Sequence, residues 1–373
     1  MDEDRQQRLK KVTESIIGLP TLPAVVTQLI GLIDNPKTSA RNVAQLISAD
    51  QALTAKILKL ANSAFYGFPR EIATVDLAVV VLGFETVKSL GLSVSVLERF
   101  SGGGDNGHFD RQKFWEHSIA CGVAAKLLAE KLRYRVSGEA FAAGILHDIG
   151  KLILSQYFPA DFKQIIEMVE AKDLYIGKAE EEVLGVTHAD VGAWLAQRWN
   201  LPNQLEDAIK YHHAPGRAPP GHNELPSLIH LADFLCRRER IGDAGGERFP
   251  SLDPAALRAF GIHEEPKVAI RRIFGYGDEL REAMKSAVAF TLIAQGSEED
   301  GEADGQRPDD SEEDGDTDGQ PPDDSPDDRP DDPRASGAPD APERSSDEPG
   351  PRDRSAETPE GNDDVQLRLT ASR

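Results

Sequence analysis

The chain has 373 residues, 28% charged and only 6% aromatic, and its 64 acidic against 42 basic side chains give a formal net charge of −22. The charge is unevenly spread: Gly296 to Arg373 holds 27 acidic and 8 basic residues, a net of −19, which leaves −3 for residues 1–295. There is no basic block or Arg/Lys patch with interleaved aromatics, which argues against nucleic-acid binding. Cys121 and Cys236 are the only cysteines, which excludes a disulfide framework or a zinc ribbon and fits a reducing cytoplasm. The opening MDEDRQQRLKK is too polar for a signal peptide, and the longest apolar run, Leu77 to Phe84, is far short of the ~20 residues that span a bilayer. A cytoplasmic protein with no membrane segment is expected.

In chain order the pattern is helix after helix. Residues 1–15 read as a helical lead-in. From Ala24 to Ile33, apolar residues at Val25, Val26, Leu29, Ile30 and Ile33 mark one buried helical face, with Pro23 just before it and Asn35-Pro36 to end it. Helices opening at the cap residues Ser39 and Asp50 bury Val43, Leu46 and Ile47, then Leu53, Ile57, Leu58 and Leu60. Two more follow, after Asp76 and from Glu85 to Phe100. Ser101-Gly-Gly-Gly-Asp-Asn-Gly107 is a flexible break that divides an N-terminal subdomain (16–100) from a second one (108–240).

After that break a long helix is expected from Asp110 to Leu132, and another from Ser137 to Tyr157, stopped by Pro159. Further helices are read over 161–171, 179–184, 187–199, 203–211 and 225–240. A weaker C-terminal extension, residues 241–295, reads as helices over 254–260, 266–274 and 278–294. No alternating strand pattern of useful length occurs, so the fold class is all-α. From residue 296 the chain lacks Phe, Trp, Tyr and Lys and carries 11 of the 24 prolines, the composition of a disordered tail. Within it, residues 297–310 and 311–324 repeat with 11 of 14 positions identical.

Seven of the nine histidines fall between Glu116 and His230. His117 is on the long helix, His147-Asp148 sits in Ala143-Gly-Ile-Leu-His-Asp-Ile-Gly-Lys151 on the next, and His188 is near a helix start. His212-His213 follows a helix, and Asp233 lies on the last strong one. A buried, unpaired carboxylate costs several kcal/mol, so Asp148 in so apolar a stretch calls for a cation or a metal. Imidazole with carboxylate suits one or two divalent ions, Fe, Mn, Ni, Zn or Mg, and binuclear hydrolytic centres hold two such ions about 3.5–4 Å apart. The same residues would also serve as a hydrogen-bonded packing network. Lys151, one turn beyond Asp148, either contacts a phosphate or snorkels to the surface. His230 either orients Asp233 or simply packs, and Cys121 reads as a small core residue. Trp115, Trp194 and Trp199 read as core anchors. The Asn62-Ser-Ala-Phe-Tyr-Gly67 corner either binds a partner or packs the two halves together.

The order His117, His147-Asp148, Asp233 resembles the H…HD…D signature of the HD superfamily of metal-dependent phosphohydrolases. His147-Asp-Ile-Gly-Lys151, with His188, Gly192 and His212-His213, is similar to the fuller ligand set of HD-GYP phosphodiesterases. Gly18-Leu-Pro-Thr-Leu-Pro23, Ile47-Ser-Ala-Asp-Gln-Ala-Leu53, Leu58-Lys-Leu-Ala-Asn-Ser63 and Ala78 through Leu82-Gly-Phe84 closely resemble the HDOD domain, and the likeness covers about 16–215.

That resemblance implies an all-helical bundle in a bacterial signalling protein, a regulatory or scaffolding module with protein partners. It implies metal ligands at His117, His147, Asp148, His188, His212, His213 and Asp233. The alternative it implies is an active phosphohydrolase on a nucleotide or cyclic nucleotide, with Asp148 bridging the ions and Lys151 steadying the phosphate. Many HDOD domains have lost catalytic ligands, whereas this chain keeps its His/Asp set. Ala214-Pro215 stands where HD-GYP enzymes place a Glu, and no Gly-Tyr-Pro follows, which argues against cyclic-di-GMP hydrolysis.

Overall fold

The computed structural model describes residues 3–294 apart from 17, 20, 33–38, 102–108, 135–136, 244, 247 and 249. The stop at Asn35-Pro36, the glycine break and the acidic repeat tail lie outside the described residues. Every regular element among those described is a helix, as the 3.6-residue periodicity requires. No single described helix is long and apolar enough to cross a membrane.

The lead-in is α1 (Glu3–Glu14), followed by α2 (Ala24–Gly31), α3 (Ala40–Ser48), α4 (Gln51–Ala61), α5 (Val75–Leu82) and α6 (Phe84–Ser101). The cap residues read from sequence are used: Ser39 forms a reciprocal capping box with Asn42, and the Asp50 carboxylate accepts the Leu53 amide at 3.0 Å. Helix α6 joins this half to the next by packing on α4 and on α8 (Ser137–Leu146). The Asn62 corner strengthens that junction. Asn62 clamps the Ile72 backbone through both amide atoms, at 2.7 and 2.9 Å, and Phe65 stacks against Phe141 and Phe290. It is a packing corner.

The second half is built on α7 (Arg111–Lys131), which is buried around most of its circumference, and α14 (Glu224–Glu239), which lies beside it. Between them in sequence run α8, α9 (Ile149–Tyr157), α10 (Pro159–Lys172), α11 (Ile176–Val183), α12 (His188–Arg198) and α13 (Asn203–Tyr211). The C-terminal extension adds α15 (Pro254–Arg258), α16 (Pro266–Phe274), α17 (Gly277–Ser286) and α18 (Val288–Ala294), of which α17 and α18 pack on α7. Two expected helices are each broken. The 278–294 helix divides at Ala287, and the 137–157 helix divides at His147-Asp148. In one continuous helix, adjacent residues point about 100° apart; the break lets both His147 and Asp148 face the interior.

Two close helix crossings hold that break in place. A Cβ on Gly144 would lie 2.6 Å from the Cys121 carbonyl, so glycine lets α8 rest on α7. A Cβ on Gly150 would overlap the His188 carbonyl oxygen, so glycine lets α9 rest on the start of α12. Gly150→Ala should therefore cost about 3 kcal/mol or more, since the obstacle is backbone that cannot swing aside. Gly31→Ala, which faces open space, should cost nothing. Urea denaturation measures both, and equal midpoints would show that the α9–α12 crossing tolerates a methyl group.

Candidate metal centre

His117 and Cys121 lie one turn apart on α7, with His117 Nε2 3.4 Å from Cys121 Sγ. From α14, Asp233 brings Oδ1 to 3.2 Å from the same nitrogen. His147 comes in from the α8–α9 break. One donor atom from each of these four side chains lies within 4.8 Å of the others. Asp148, His188, His212 and His213 form a second group that meets the same test. Asp148 Oδ1 is 3.1 Å from His188 Nε2 and 3.6 Å from His212 Nε2, and its Oδ2 is 3.2 Å from His147 Nε2. Asp148 thus joins the two groups.

The outer ring nitrogens fix how these histidines are aimed. His147 Nδ1 lies 2.7 Å from the Gly144 carbonyl, His212 Nδ1 2.6 Å from the Ile209 carbonyl, and His117 Nδ1 3.3 Å from the Ile241 carbonyl. A carbonyl only accepts, so each Nδ1 carries the proton and each Nε2 is left for the interior. His188 does the same through the Glu180 carboxylate, at 2.7 Å. The inward atoms His147 Nε2, His212 Nε2 and Asp148 Oδ1 are buried and make no aligned hydrogen bond, although both rings lie close to the Asp148 carboxylate. Lone pairs that converge without bonding each other are the pattern of a ligand shell, and the outer carbonyls and Glu180 are its orienting layer. The residues fit a divalent metal.

Charge in the centre is tightly matched. Burial alone would raise both carboxyls, but His147, Lys151 and His188 hold Asp148 well below the usual carboxylate range, and Arg237 with His117 does so for Asp233. Arg237 Nε donates to both Asp233 oxygens, at 2.8 and 3.0 Å, and Lys151 Nζ is 2.5 Å from Asp148 Oδ2. Burial pushes His212 down to about 4, and burial with its histidine neighbours holds His213 well below its ordinary value. Burial also lowers His117, but Cys121 and Asp233 more than offset it and raise that ring to about 10. Asp233 is the partner that carries charge there, because burial lifts the Cys121 thiol well above its ordinary value.

All seven sequence-predicted ligands converge in this centre. Lys151 does not snorkel; it is buried on Asp148. His147 and Asp148 lie in the break between two helices, where the sequence placed them inside one. His230 does not orient Asp233: its Nδ1 donates to the His212 carbonyl at 2.6 Å, and its Nε2 accepts the Asp253 amide at 3.1 Å. It therefore fixes the backbone of the paired histidines. Three participants were missed. Arg237 was readable as the i+4 cation to Asp233, and Cys121 as the i+4 neighbour of His117. Glu180 gave no signal, being one of three consecutive glutamates of which it alone is buried. Trp115 and Trp199 are buried as expected, and Trp194 is half-buried.

Residues 19–215 match the HDOD domain family over more than half of the chain. The chain belongs to the HDOD family. An HDOD domain protein of unknown function from Geobacter sulfurreducens is 27% identical and superposes with a TM-score of 0.62, over 78% of this chain and 97% of that one. A candidate phosphohydrolase from Shewanella amazonensis SB2B is also 27% identical, with a TM-score of 0.58 over 77% of this chain and 97% of that one. An uncharacterized protein of Treponema pallidum (strain Nichols) is 27% identical over 227 residues. That match takes in 61% of this HDOD protein but only 44% of the Treponema chain, so it spans less than half the length of that relative.

Two outcomes are expected of the metal-stripped protein. His212, held near 4 against an ordinary 6.5, contributes stability that is complete above about pH 6.5 and lost as pH falls toward 4, and His213 acts in the same direction. His117, raised to about 10, contributes stability that is complete below about pH 6.5 and lost as pH rises toward 10. Urea midpoints should therefore peak near pH 6.5 and fall on both sides; a flat profile would contradict this charge assignment. Arg237→Met leaves Asp233 buried without its cation and should cost about 3–5 kcal/mol. Adding Asp233→Leu should recover much of that loss, and a double-mutant cycle in urea measures the recovery.

Proposed function

We propose that this HDOD protein is a regulatory module of a bacterial signalling pathway, that its His/Asp centre holds one or two divalent metal ions, and that it does not turn over a phosphate ester. Burial of the centre is the observation that supports this best: His117, His147, Asp148, Lys151, His188, His212 and Asp233 are each 0–1% exposed, and His213 is half-buried. A hydrolytic metal site keeps a coordination position open to a substrate. Here the cation best placed to meet a phosphate, Lys151, is engaged by Asp148. Ala214-Pro215, at the short turn after His212-His213 where HD-GYP enzymes place a Glu, speaks in addition against cyclic-di-GMP hydrolysis in particular.

Bound metal would supply fixed positive charge between the two buried carboxylates. The chain's own part is to aim the donors: the Gly144, Ile209 and Ile241 carbonyls and Glu180 hold the ring nitrogens, and Arg237 holds Asp233. Helices α7, α9, α12 and α14 would then pass a change in metal occupancy to the helices packed around them.

Elemental analysis of natively purified protein should find at least one divalent transition metal per chain, and a screen of nucleotides and cyclic nucleotides should find no turnover above that of Asp148→Ala. Turnover that is lost in Asp148→Ala would replace this reading with the phosphohydrolase. Protein that folds metal-free and takes up no metal on addition would remove the metal from it.

A further inference from the structure

The two groups of the centre differ in chemistry. Asp148, His188, His212 and His213 offer nitrogen and oxygen only, whereas His117, Cys121, His147 and Asp233 include a sulfur. The position of that sulfur is specific. Cys121 follows His117 by four residues on α7, so both side chains leave the same helix face, and Sγ stands 3.4 Å from Nε2. Donors bound at about 2.0–2.3 Å to one tetrahedral ion are separated by about 3.3–3.8 Å. The Cys121–His117 separation lies in that interval, and the His117–Asp233 separation of 3.2 Å falls just below it. His147 supplies the fourth donor, an inward Nε2 that makes no hydrogen bond.

We propose that Cys121 is a metal ligand, and that His117, Cys121, His147 and Asp233 form a four-ligand, thiolate-containing site that selects zinc over magnesium or manganese. This rests on the reading that the centre binds metal, and it names the ion. A thiolate favours borderline and soft cations, while magnesium and manganese prefer all-oxygen shells. As the ion binds, the Cys121 thiol gives up its proton to solvent, and so does the His117 Nε2 where that ring holds a second proton. Four protein ligands complete a tetrahedron, which is the arrangement of structural zinc rather than of catalytic zinc with its open position. Arg237, on both oxygens of Asp233, is the positioning residue for the carboxylate ligand.

Cobalt(II) is the spectroscopic probe for zinc here. Chelated full-length protein titrated with cobalt should develop thiolate-to-cobalt charge-transfer absorption in the near ultraviolet. Cys121→Ser should lose that band and about 100-fold or more of its zinc affinity while still binding cobalt through nitrogen and oxygen. Cys236→Ala is the control, because Cys236 touches the Cys121 thiol but lies outside the donor set, and it should keep the band. X-ray absorption of the zinc-loaded wild type, which needs no variant to fold, should show one sulfur scatterer at about 2.3 Å. Cobalt or zinc bound with only nitrogen and oxygen neighbours would overturn the thiolate ligand and leave the metal reading intact. No uptake of either ion would overturn both.

Discussion

Two carboxylates, Asp148 and Asp233, are buried at the centre of a helical core, and the surrounding architecture answers that fact. Moving a carboxylate out of water costs several kcal/mol even after relaxation. The chain offsets it with one buried cation for each, Lys151 on Asp148 and Arg237 on Asp233, and with imidazoles around both. Each cation reaches its carboxylate within one helical turn, three or four residues along the same chain. The local pairing is thus encoded in sequence spacing, while the imidazoles must be delivered by tertiary packing. Gly144 and Gly150 belong to the same solution, because a side chain at either would push apart the helices that carry Cys121 and His188.

The helical character of the described residues was legible because an amphipathic helix must repeat its apolar positions every three or four residues, as α2, α3 and α4 do, while α7 is apolar around most of its surface and was legible by its length. The site was legible in outline because His and Asp are seldom buried without a partner, so their presence in apolar stretches is itself a signal. The break at His147-Asp148 was not. Apolar residues run on both sides of it, no proline marks it, and Gly150 reads equally well as a tolerated helix glycine. Only contact with α12 shows that Gly150 is required. Glu180 was hidden for a related reason: burial separates it from Glu181 and Glu182, and sequence does not. Cys121 was read as filler because cysteine packs well in cores. Its pairing with His117 became meaningful once His147 and Asp233 were seen to arrive from other helices.

The orienting layer bears on whether the centre is an evolved site or a packing network. In a network of mutual hydrogen bonds, the inner nitrogens and oxygens would point at one another. Here His188 and His213 do meet through their Nε2 atoms at 3.0 Å. His147 and His212, however, come within 3.2 and 3.6 Å of Asp148, yet the inner atoms His147 Nε2, His212 Nε2 and Asp148 Oδ1 form no aligned bond, while the outer ring nitrogens of both histidines bond backbone carbonyls at 2.6–2.7 Å. Leaving buried polar atoms unbonded costs about 1–3 kcal/mol each, so a purely structural cluster would gain by reorienting them. The arrangement accepts that cost on the inside and avoids it on the outside, as expected where an ion supplies the missing interaction.

A closed metal centre acts differently from an open one. On the reading proposed above, an ion among these largely buried donors would put its binding energy into holding together the segments that carry them: α7, the α8–α9 break, the start of α12, the end of α13 and α14. Binding at a free concentration one hundred times the dissociation constant adds about 2.7 kcal/mol to the folded state. That exceeds most single packing contacts and is comparable to the penalty that the unbonded inner atoms impose. Metal occupancy and helix packing would therefore be coupled in this fold. That coupling would reach the N-terminal half through α8, which ends at the His147 break and packs along α6, itself in contact with α2 to α5.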